Sequence, residues 1–96
     1  MKKYENAYIL KGSLTEEQAK MEIAEITKYF DKVRIFENKE TFNGYQGLKH
    51  LAYAIKGEKT GYYYITNFEG TDKTVEELEN KLRLNDSVLK FITIRI

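Results

Sequence analysis

Apolar and polar side chains alternate along the first ten residues of the chain. Tyr4 and Tyr8 fall on one parity of an extended segment, and Ala7 and Ile9 fall on the other. A strand over residues 3 to 10 therefore carries apolar side chains on both of its faces. This pattern predicts a strand that lies in the middle of a sheet.

A helical period replaces the alternation at two places. Thr15-Glu16-Glu17-Gln18 matches the capping box, whose side chains satisfy free amides at a helix start, and the residues that follow predict an amphipathic helix over residues 15 to 30. Thr74-Val75-Glu76-Glu77 matches the same motif. The apolar residues after it predict a shorter helix that ends near Asn85-Asp86.

Residues 33 to 55 have the composition of extended chain, but the pattern is interrupted. Asn38, Asn43-Gly44 and Gly47 fall inside the segment, and these residue types are typical of turns and of irregular strand positions. The segment is therefore predicted to contain a bulge or an inserted turn.

Two later segments are predicted strands, because both are rich in aromatic or β-branched residues. They are Tyr62 to Phe68 and Val88 to Ile96, and Gly57 to Gly61 is predicted to form the hairpin connection before the first of them. Neighbouring side chains of a strand point to opposite faces, so the three tyrosines at 62 to 64 cannot all point the same way. At least one of these rings is expected to face the helices.

The order strand, helix, strand, strand, helix, strand predicts an α+β, ferredoxin-like fold. Each half is a split βαβ unit, and right-handed crossovers lay both helices on one face of a four-stranded antiparallel sheet. The length of 96 residues suits one domain, so residues 1 to 96 are interpreted as a single unit.

Composition excludes several classes of site. The chain has no cysteine and one histidine, which excludes thiolate zinc sites, iron–sulfur clusters and a cysteine nucleophile. No P-loop, dinucleotide-binding glycine motif, nucleophile elbow or HExxH motif occurs. We therefore expect a protein without catalytic activity, cofactor or metal.

Charge and hydropathy give two further expectations. Sixteen basic against fifteen acidic residues leave a net charge of +1, so a site for nucleic acid has to come from local clusters of cations. The sequence contains no apolar run of about 20 residues and no secretory signal, so we expect a soluble, cytoplasmic protein.

Lys49, His50 and Tyr53 form the most informative cluster, because basic and aromatic side chains alternate there within five residues. Such a pattern places charges on phosphates and a ring on a base or sugar. Taken alone, Tyr53 fits packing better than contact, and His50 has no neighbouring carboxylate to orient it as a base. Lys2 and Lys3 near the amino terminus, and Lys90 in the last strand, are further candidates for RNA contact or for solubilising charges.

Three segments together resemble one family. Met1-Lys2-Lys3-Tyr4-Glu5, the block Gly47 to Ile55, and Asn85-Asp86 followed by Val88-Leu89 are similar to the bacterial small-subunit ribosomal protein S6 family, and the likeness spans the whole chain.

The resemblance implies a non-catalytic component of the small ribosomal subunit in the cytoplasm. Such a component binds the central domain of the subunit RNA together with ribosomal protein S18. The resemblance also implies RNA contact through the amino terminus, including Lys2, Lys3 and Tyr4, and through Lys49, His50 and Tyr53. A monomer is expected when the protein is isolated.

The chain departs from the family pattern around the same block. Gln46 stands where members usually have tryptophan, Ala54 replaces a proline, and Leu48-Lys49-His50 replaces a richer arginine cluster. Arginine matches phosphate geometry better than lysine does, so a weaker grip on RNA and a greater reliance on the partner protein are expected.

A second hypothesis stays open at this point. A ferredoxin-like regulatory or oligomerising module would use the open face of the sheet or an edge strand to bind a small ligand or its own copy.

Overall fold

The computed structural model describes residues 1–96 and has an α+β, ferredoxin-like architecture, as predicted. Its elements are β1 (Lys2–Lys11), α1 (Glu16–Thr27), a 3-10 turn (Lys28–Phe30), β2 (Arg34–Ile35), β3 (Gly44–Ile55), β4 (Glu58–Gly70), α2 (Asp72–Leu84) and β5 (Val88–Arg95). Neither helix combines the length and the apolar character that crossing a membrane requires.

β1 is the central strand, as its two apolar faces predicted. It pairs along its whole length with β4 on one side and from Tyr4 to Leu10 with β5 on the other, and both pairings are antiparallel. The second side of β4 is shared by the two-residue β2 and by β3. The sheet therefore has five strands instead of the predicted four, because the predicted second strand is divided into two pieces that lie along the same edge.

A side-chain network explains this division. Phe36 donates its backbone N–H to the Asn67 carbonyl (3.0 Å), and Asn43 Oδ1 accepts the backbone N–H of Asn67 (2.9 Å). The loop between β2 and β3 thus supplies hydrogen-bond partners for backbone groups at the edge of β4 without forming a strand. A bulge follows at Gln46, next to Gly47 with φ 87°, so the predicted irregularity between Asn38 and Gly47 is confirmed.

The two helix starts differ in how well the sequence predicted them. Thr15 and Gln18 form the expected reciprocal capping box, with bonds of 3.1 and 2.9 Å. The start predicted at Thr74 was wrong, because α2 begins one turn earlier and its cap is Thr71. Thr74 stands at the third helical position, where its hydroxyl accepts the Thr71 N–H at 2.9 Å and so replaces the expected glutamate.

The hairpin connection was also predicted too far along the chain. The turn consists of Lys56 and Gly57, both with positive φ (49° and 83°), and β4 already begins at Glu58. Two consecutive residues of positive φ suit the right-handed twist of a two-residue hairpin.

The core lies between the helices and one face of the sheet. Tyr4 stacks on Phe68 with 5.6 Å between ring centroids, and Tyr8 stacks on Tyr64 with 5.5 Å. The apolar stripe of α2 completes this layer with the buried side chains of Val75, Leu78 and Leu82. The other face of the sheet carries no helix and is called the open face below.

Candidate nucleic-acid interface

The open face is built by the strand positions that alternate with the core positions. On β1 and β4 these are the odd-numbered residues, and the strand register brings Lys90, Ile9, Tyr63 and Gly47 into one row across four strands. A row of this kind joins residues that lie far apart in the sequence. Lys90 stands at one end of the row and Gly47 at the other, and Lys49 lies two residues beyond Gly47 on β3, opposite Gly61. Three strand spacings, or about 14 Å, separate the two edge strands.

Tyr63 lies between these two lysines and contacts one of them. Lys49 Nζ is 5.5 Å from the centroid of the Tyr63 ring, which is within the range of a cation–π interaction. Lys49 is opposite Gly61, where a Cβ atom would be 2.4 Å from Ile9 Cγ2. A side chain at position 61 would therefore force the Ile9 side chain to shift.

One half of the open face is positively charged. Its cations are Lys11, Lys49, Lys59 and Lys90, and none of the open-face positions that neighbour them on β1, β3, β4 and β5 is Asp or Glu. None of these four lysines takes part in an ion pair in the structure. We call these four lysines and Tyr63 the basic half.

Lys3 lies on the same face at the opposite end of the sheet, among carboxylates. Its cross-strand partner is Glu69, Glu5 is two residues away on the same face, and its Nζ is 5.2 Å from the Phe36 ring centroid. The charge of Lys3 is therefore partly compensated, in contrast to the charges of the basic half.

Lys2 and Tyr4 point to the helix side of the sheet. Lys2 Nζ is 2.9 Å from Asp72 Oδ2, at the first residue of α2, and the Tyr4 hydroxyl donates to the same carboxylate. The hydrogen bond from Tyr4, followed by the one from Lys2, lowers the pKa of Asp72. The hydrogen bond to Asp72 also raises the pKa of Tyr4. The Tyr4 ring is buried in the core, where no base can stack on it.

The cluster Lys49, His50 and Tyr53 is not a single patch. His50 is exposed and pairs with Thr60, and strand alternation directs it to the side opposite Lys49. Tyr53 is 68% exposed and lies where the β3–β4 register shifts between His50 and Ile55, so it projects from the end of the hairpin.

Sequence reasoning missed three members of the basic half. Tyr63 was predicted only as one of three tyrosines of mixed orientation, and Lys11 and Lys59 were not considered. Strand parity was the signal that could have found them, because Lys11 shares the parity of Ile9 and Lys59 shares that of Tyr63.

The basic half adjoins an apolar surface. Ile92 and Ile94 of β5 are both about half exposed, and a shallow cavity of about 210 Å³ lies beside them. Its lining residues are Ala7, Ile9, Tyr63, Lys90, Phe91 and Ile92. The structure brings together no group of three or more His, Asp or Glu side chains that could hold a metal ion.

Comparison with known proteins identifies relatives of this chain. The family described as Ribosomal protein S6 matches residues 3–95. A small ribosomal subunit protein bS6 from Gloeothece citriformis is 38% identical over 95 residues, covering 99% of this chain and 52% of the relative. The small ribosomal subunit protein bS6 from Helicobacter pylori is 36% identical over 99 residues, covering 99% of this chain and 65% of the relative. The chain thus spans between about half and two thirds of the length of these relatives.

A solved structure supports the fold independently. The crystal structure of 30S ribosomal protein S6 from Thermotoga maritima superimposes with a TM-score of 0.85 at 23% identity, covering 99% of this chain and 87% of that one. The expectation of a non-catalytic protein agrees with a family that is named for a ribosomal protein. On the match over residues 3–95, the chain belongs to the ribosomal protein S6 family.

Proposed function

We propose that residues 1–96 act as a single RNA-binding domain and as a structural component of the small ribosomal subunit in the cytoplasm. In this role the domain binds the central domain of the subunit RNA together with ribosomal protein S18. Family membership supports the role, and the relatives are named as proteins of the same subunit.

The observation that carries the proposal is the basic half of the open face. Four lysines that form no ion pair lie around one tyrosine on a surface that no helix covers, and of these Lys11 is near the Glu58 carboxylate. Lysines that are free of ion pairs contact phosphates without first breaking a bond within the protein. The formal net charge is only +1, so this local separation of charge is what makes RNA binding feasible.

The residues of the interface have different roles in this proposal. Lys49 and Lys90 contact phosphates of a strand that crosses the sheet, and Tyr63 lies between them as a stacking surface. Lys3 makes a weaker contact because Glu5 and Glu69 compensate its charge.

The hairpin forms a second point of contact. His50 on the helix side of the hairpin and the exposed ring of Tyr53 near its end reach RNA that the open face does not. Lys2 shares its charge with Asp72, so it contributes less than Lys49. Tyr4 supports the interface indirectly, since its hydroxyl holds the carboxylate that orients Lys2.

Binding of this kind is electrostatic and has a measurable signature. Each phosphate contact releases counterions, so affinity falls with salt in proportion to the number of contacts. Lysines supply point charges and no bidentate geometry. The affinity of this domain for RNA is therefore expected to be modest without the partner protein.

The test is binding to a fragment of the central domain of small-subunit RNA, with and without ribosomal protein S18, across a salt series. We expect binding that needs the partner and weakens with salt, and Lys49→Ala should reduce the slope of log K against log salt by about 0.7 to 0.9. Lys73→Ala, an exposed position on α2, makes the same change of charge away from the open face and should leave the slope unchanged.

Two results would count against the proposal. An unchanged slope in Lys49→Ala would remove Lys49 from the interface. No binding in the presence of the partner would favour a ligand-binding ferredoxin-like module instead.

A further inference from the structure

The side-chain amide of Asn43 anchors the loop between β2 and β3 to the sheet. Its Nδ2 donates to the Phe36 carbonyl at 2.7 Å, and its Oδ1 accepts the backbone N–H and the Nδ2 of Asn67 at 2.9 and 2.6 Å. These partners fix the orientation of the amide, because a carbonyl needs a donor and an N–H needs an acceptor. Both ends of the Asn43 side chain are therefore held by the fold.

Asn43 is also the one asparagine of the chain that precedes a glycine. Glycine has no side chain that could obstruct an attack of its backbone nitrogen on the preceding side chain, and its backbone rotates freely. Gly44 has φ 111°, and a Cβ atom built on it would meet no other atom within 4 Å. The Asn43-Gly44 pair thus combines a thermolabile side chain with an unobstructed backbone nitrogen.

Water reaches this pair through an open cleft. The cleft has a volume of about 270 Å³ and is lined by Glu37, Asn38, Thr41, Phe42 and Asn43. Asn43 and Gly44 are themselves only partly buried. Hydrogen bonds, and not burial, are therefore what restrains the Asn43 amide.

We propose that Asn43 is a site of spontaneous deamidation whose rate is controlled by the hydrogen bonds of this loop. The Gly44 backbone nitrogen loses its proton and attacks Asn43 Cγ, the bond from Cγ to Nδ2 breaks, and the nitrogen leaves as ammonia with the proton. Water then adds to one of the two carbonyl carbons of the cyclic imide and opens the ring. The product is aspartate or isoaspartate at position 43.

The folded state slows this reaction. Ring closure expels Nδ2, so it removes the bond to the Phe36 carbonyl, and it turns the Asn43 side chain towards its own main chain and away from Asn67. The reaction therefore proceeds from a state in which the loop has opened locally, and its rate follows the population of that state.

Either product weakens the anchor of the loop. Aspartate places a second oxygen where Nδ2 stood, so an acceptor faces the Phe36 carbonyl. Isoaspartate adds one carbon to the main chain before Gly44 and shortens the side chain, which then no longer reaches Asn67. Asn67 is fully buried, so the loss of its partner destabilises the closed loop. Because ammonia has left, the change runs in one direction only.

Mass spectrometry of the full chain tests the reactivity, with the protein folded in mildly alkaline buffer or unfolded in concentrated urea. In urea, Asn43 should react faster than Asn80, an exposed asparagine of α2 that precedes a lysine. The folded chain should react at Asn43 at least about tenfold more slowly, since the loop must open first. Asn43→Gln lengthens the side chain and should abolish the reaction there. An Asn43 that stays intact in urea, or that reacts equally fast in both states, would overturn the proposal.

Variants of the network test whether the loop controls the rate. Thr41→Val removes the hydroxyl that accepts Asn67 Nδ2 at 3.0 Å, and Asn67→Ala removes Nδ2 itself. Both should speed the reaction several-fold in the folded chain and leave the rate in urea unchanged. Thr41→Val is the milder change and decides the outcome if Asn67→Ala does not fold.

Thr93→Val is the matched control, because it removes a hydroxyl that accepts Asn6 Nδ2 at 2.9 Å in a part of the sheet away from the loop. It should leave both rates unchanged. Equal acceleration by Thr41→Val and Thr93→Val would mean that global unfolding precedes the reaction, and would overturn the control by the loop.

Hydrogen exchange of the separated product tests the structural consequence. Deamidation adds one negative charge to a chain of net charge +1, so ion exchange separates the product from the unmodified protein. The amides of Phe36 and Asn67 should lose protection in the product, whereas those of the β1–β5 pairing should not change. Retained protection of both loop amides would contradict the release of the loop. This inference does not depend on RNA binding, so the two can fail separately.

Discussion

The two faces of β1 come from alternating residues of one strand, yet they have opposite roles. Tyr4, Tyr8 and Leu10 point towards the helices and are at most 7% exposed, whereas Ile9 and Lys11 point to the open face and are only partly covered. Burial of one face stabilises the fold, and the other face stays accessible. The comparison teaches that residues next to each other in the sequence can serve stability and binding separately.

The largest expected effect separates two neighbouring tyrosines. Tyr62 is 5% exposed and donates its hydroxyl to the Leu14 carbonyl at 2.7 Å. Tyr62→Ala should lower the free energy of unfolding by about 3 to 5 kcal/mol, as for other large aromatic truncations in a core. Urea denaturation measures this change. A smaller loss of unfolding free energy in Tyr62→Ala than in Tyr63→Ala would contradict the contrast between the two faces.

The matching change on the open face should act on binding. Tyr63→Ala should weaken RNA binding by about 1 to 3 kcal/mol, because it removes the stacking surface between Lys49 and Lys90. Tyr63→Phe keeps the ring and serves as the control. Equal binding by the alanine and phenylalanine variants would show that the ring makes no contact with RNA.

A smaller effect is expected from a polar atom within the core. Tyr8 is 1% exposed, its hydroxyl has no hydrogen-bond partner within the protein, and burial raises its pKa. Tyr8→Phe removes that hydroxyl without changing the ring, so the free energy of unfolding should stay within about 1 kcal/mol or rise. Thermal denaturation tests this, and a clear loss of stability would mean that the hydroxyl is bonded in solution.

The smallest effect concerns the contact of Asp72 with Tyr4 and Lys2. The lowered pKa of Asp72 means that its ionised form is favoured in the folded state, so its contribution is present above the ordinary value of 3.8 and is lost as pH falls through the lower folded value. Asp72→Asn should reduce the pH dependence of the free energy of unfolding, and only in that acid range. Tyr4→Phe should do so in part, and identical curves for all three proteins would exclude the contact.

Most of the fold could be predicted because local patterns determine it. The parity of β1, the Thr15 capping box and the apolar stripe of α2 each depend on residues that are close in sequence. The Thr71 cap was missed because a threonine replaces the usual glutamate at the third position.

The division of the second strand was only partly predictable. Its cause is the buried Asn67, whose Nδ2 donates to Asn43 Oδ1 at 2.6 Å and to Thr41 Oγ1 at 3.0 Å, across 24 and 26 residues of sequence. A single sequence gives no indication of which distant side chains will meet. The same reason explains why the candidate site was predicted only in part. Lys49 was predicted, but its neighbours Tyr63, Lys11 and Lys59 come from other strands.

The central position of β1 also affects how the protein folds during its own synthesis. Its partners begin only at Glu58 and Val88, so at about 5 to 20 residues per second the strand waits on the order of seconds with one or both edges unpaired. The β3–β4 hairpin closes over two residues and can form first, whereas β1 must be joined over long stretches of chain. β1 is thus synthesised first but is the last strand to gain both of its neighbours. In nascent chains, β1 should become resistant to protease only after β5 has emerged.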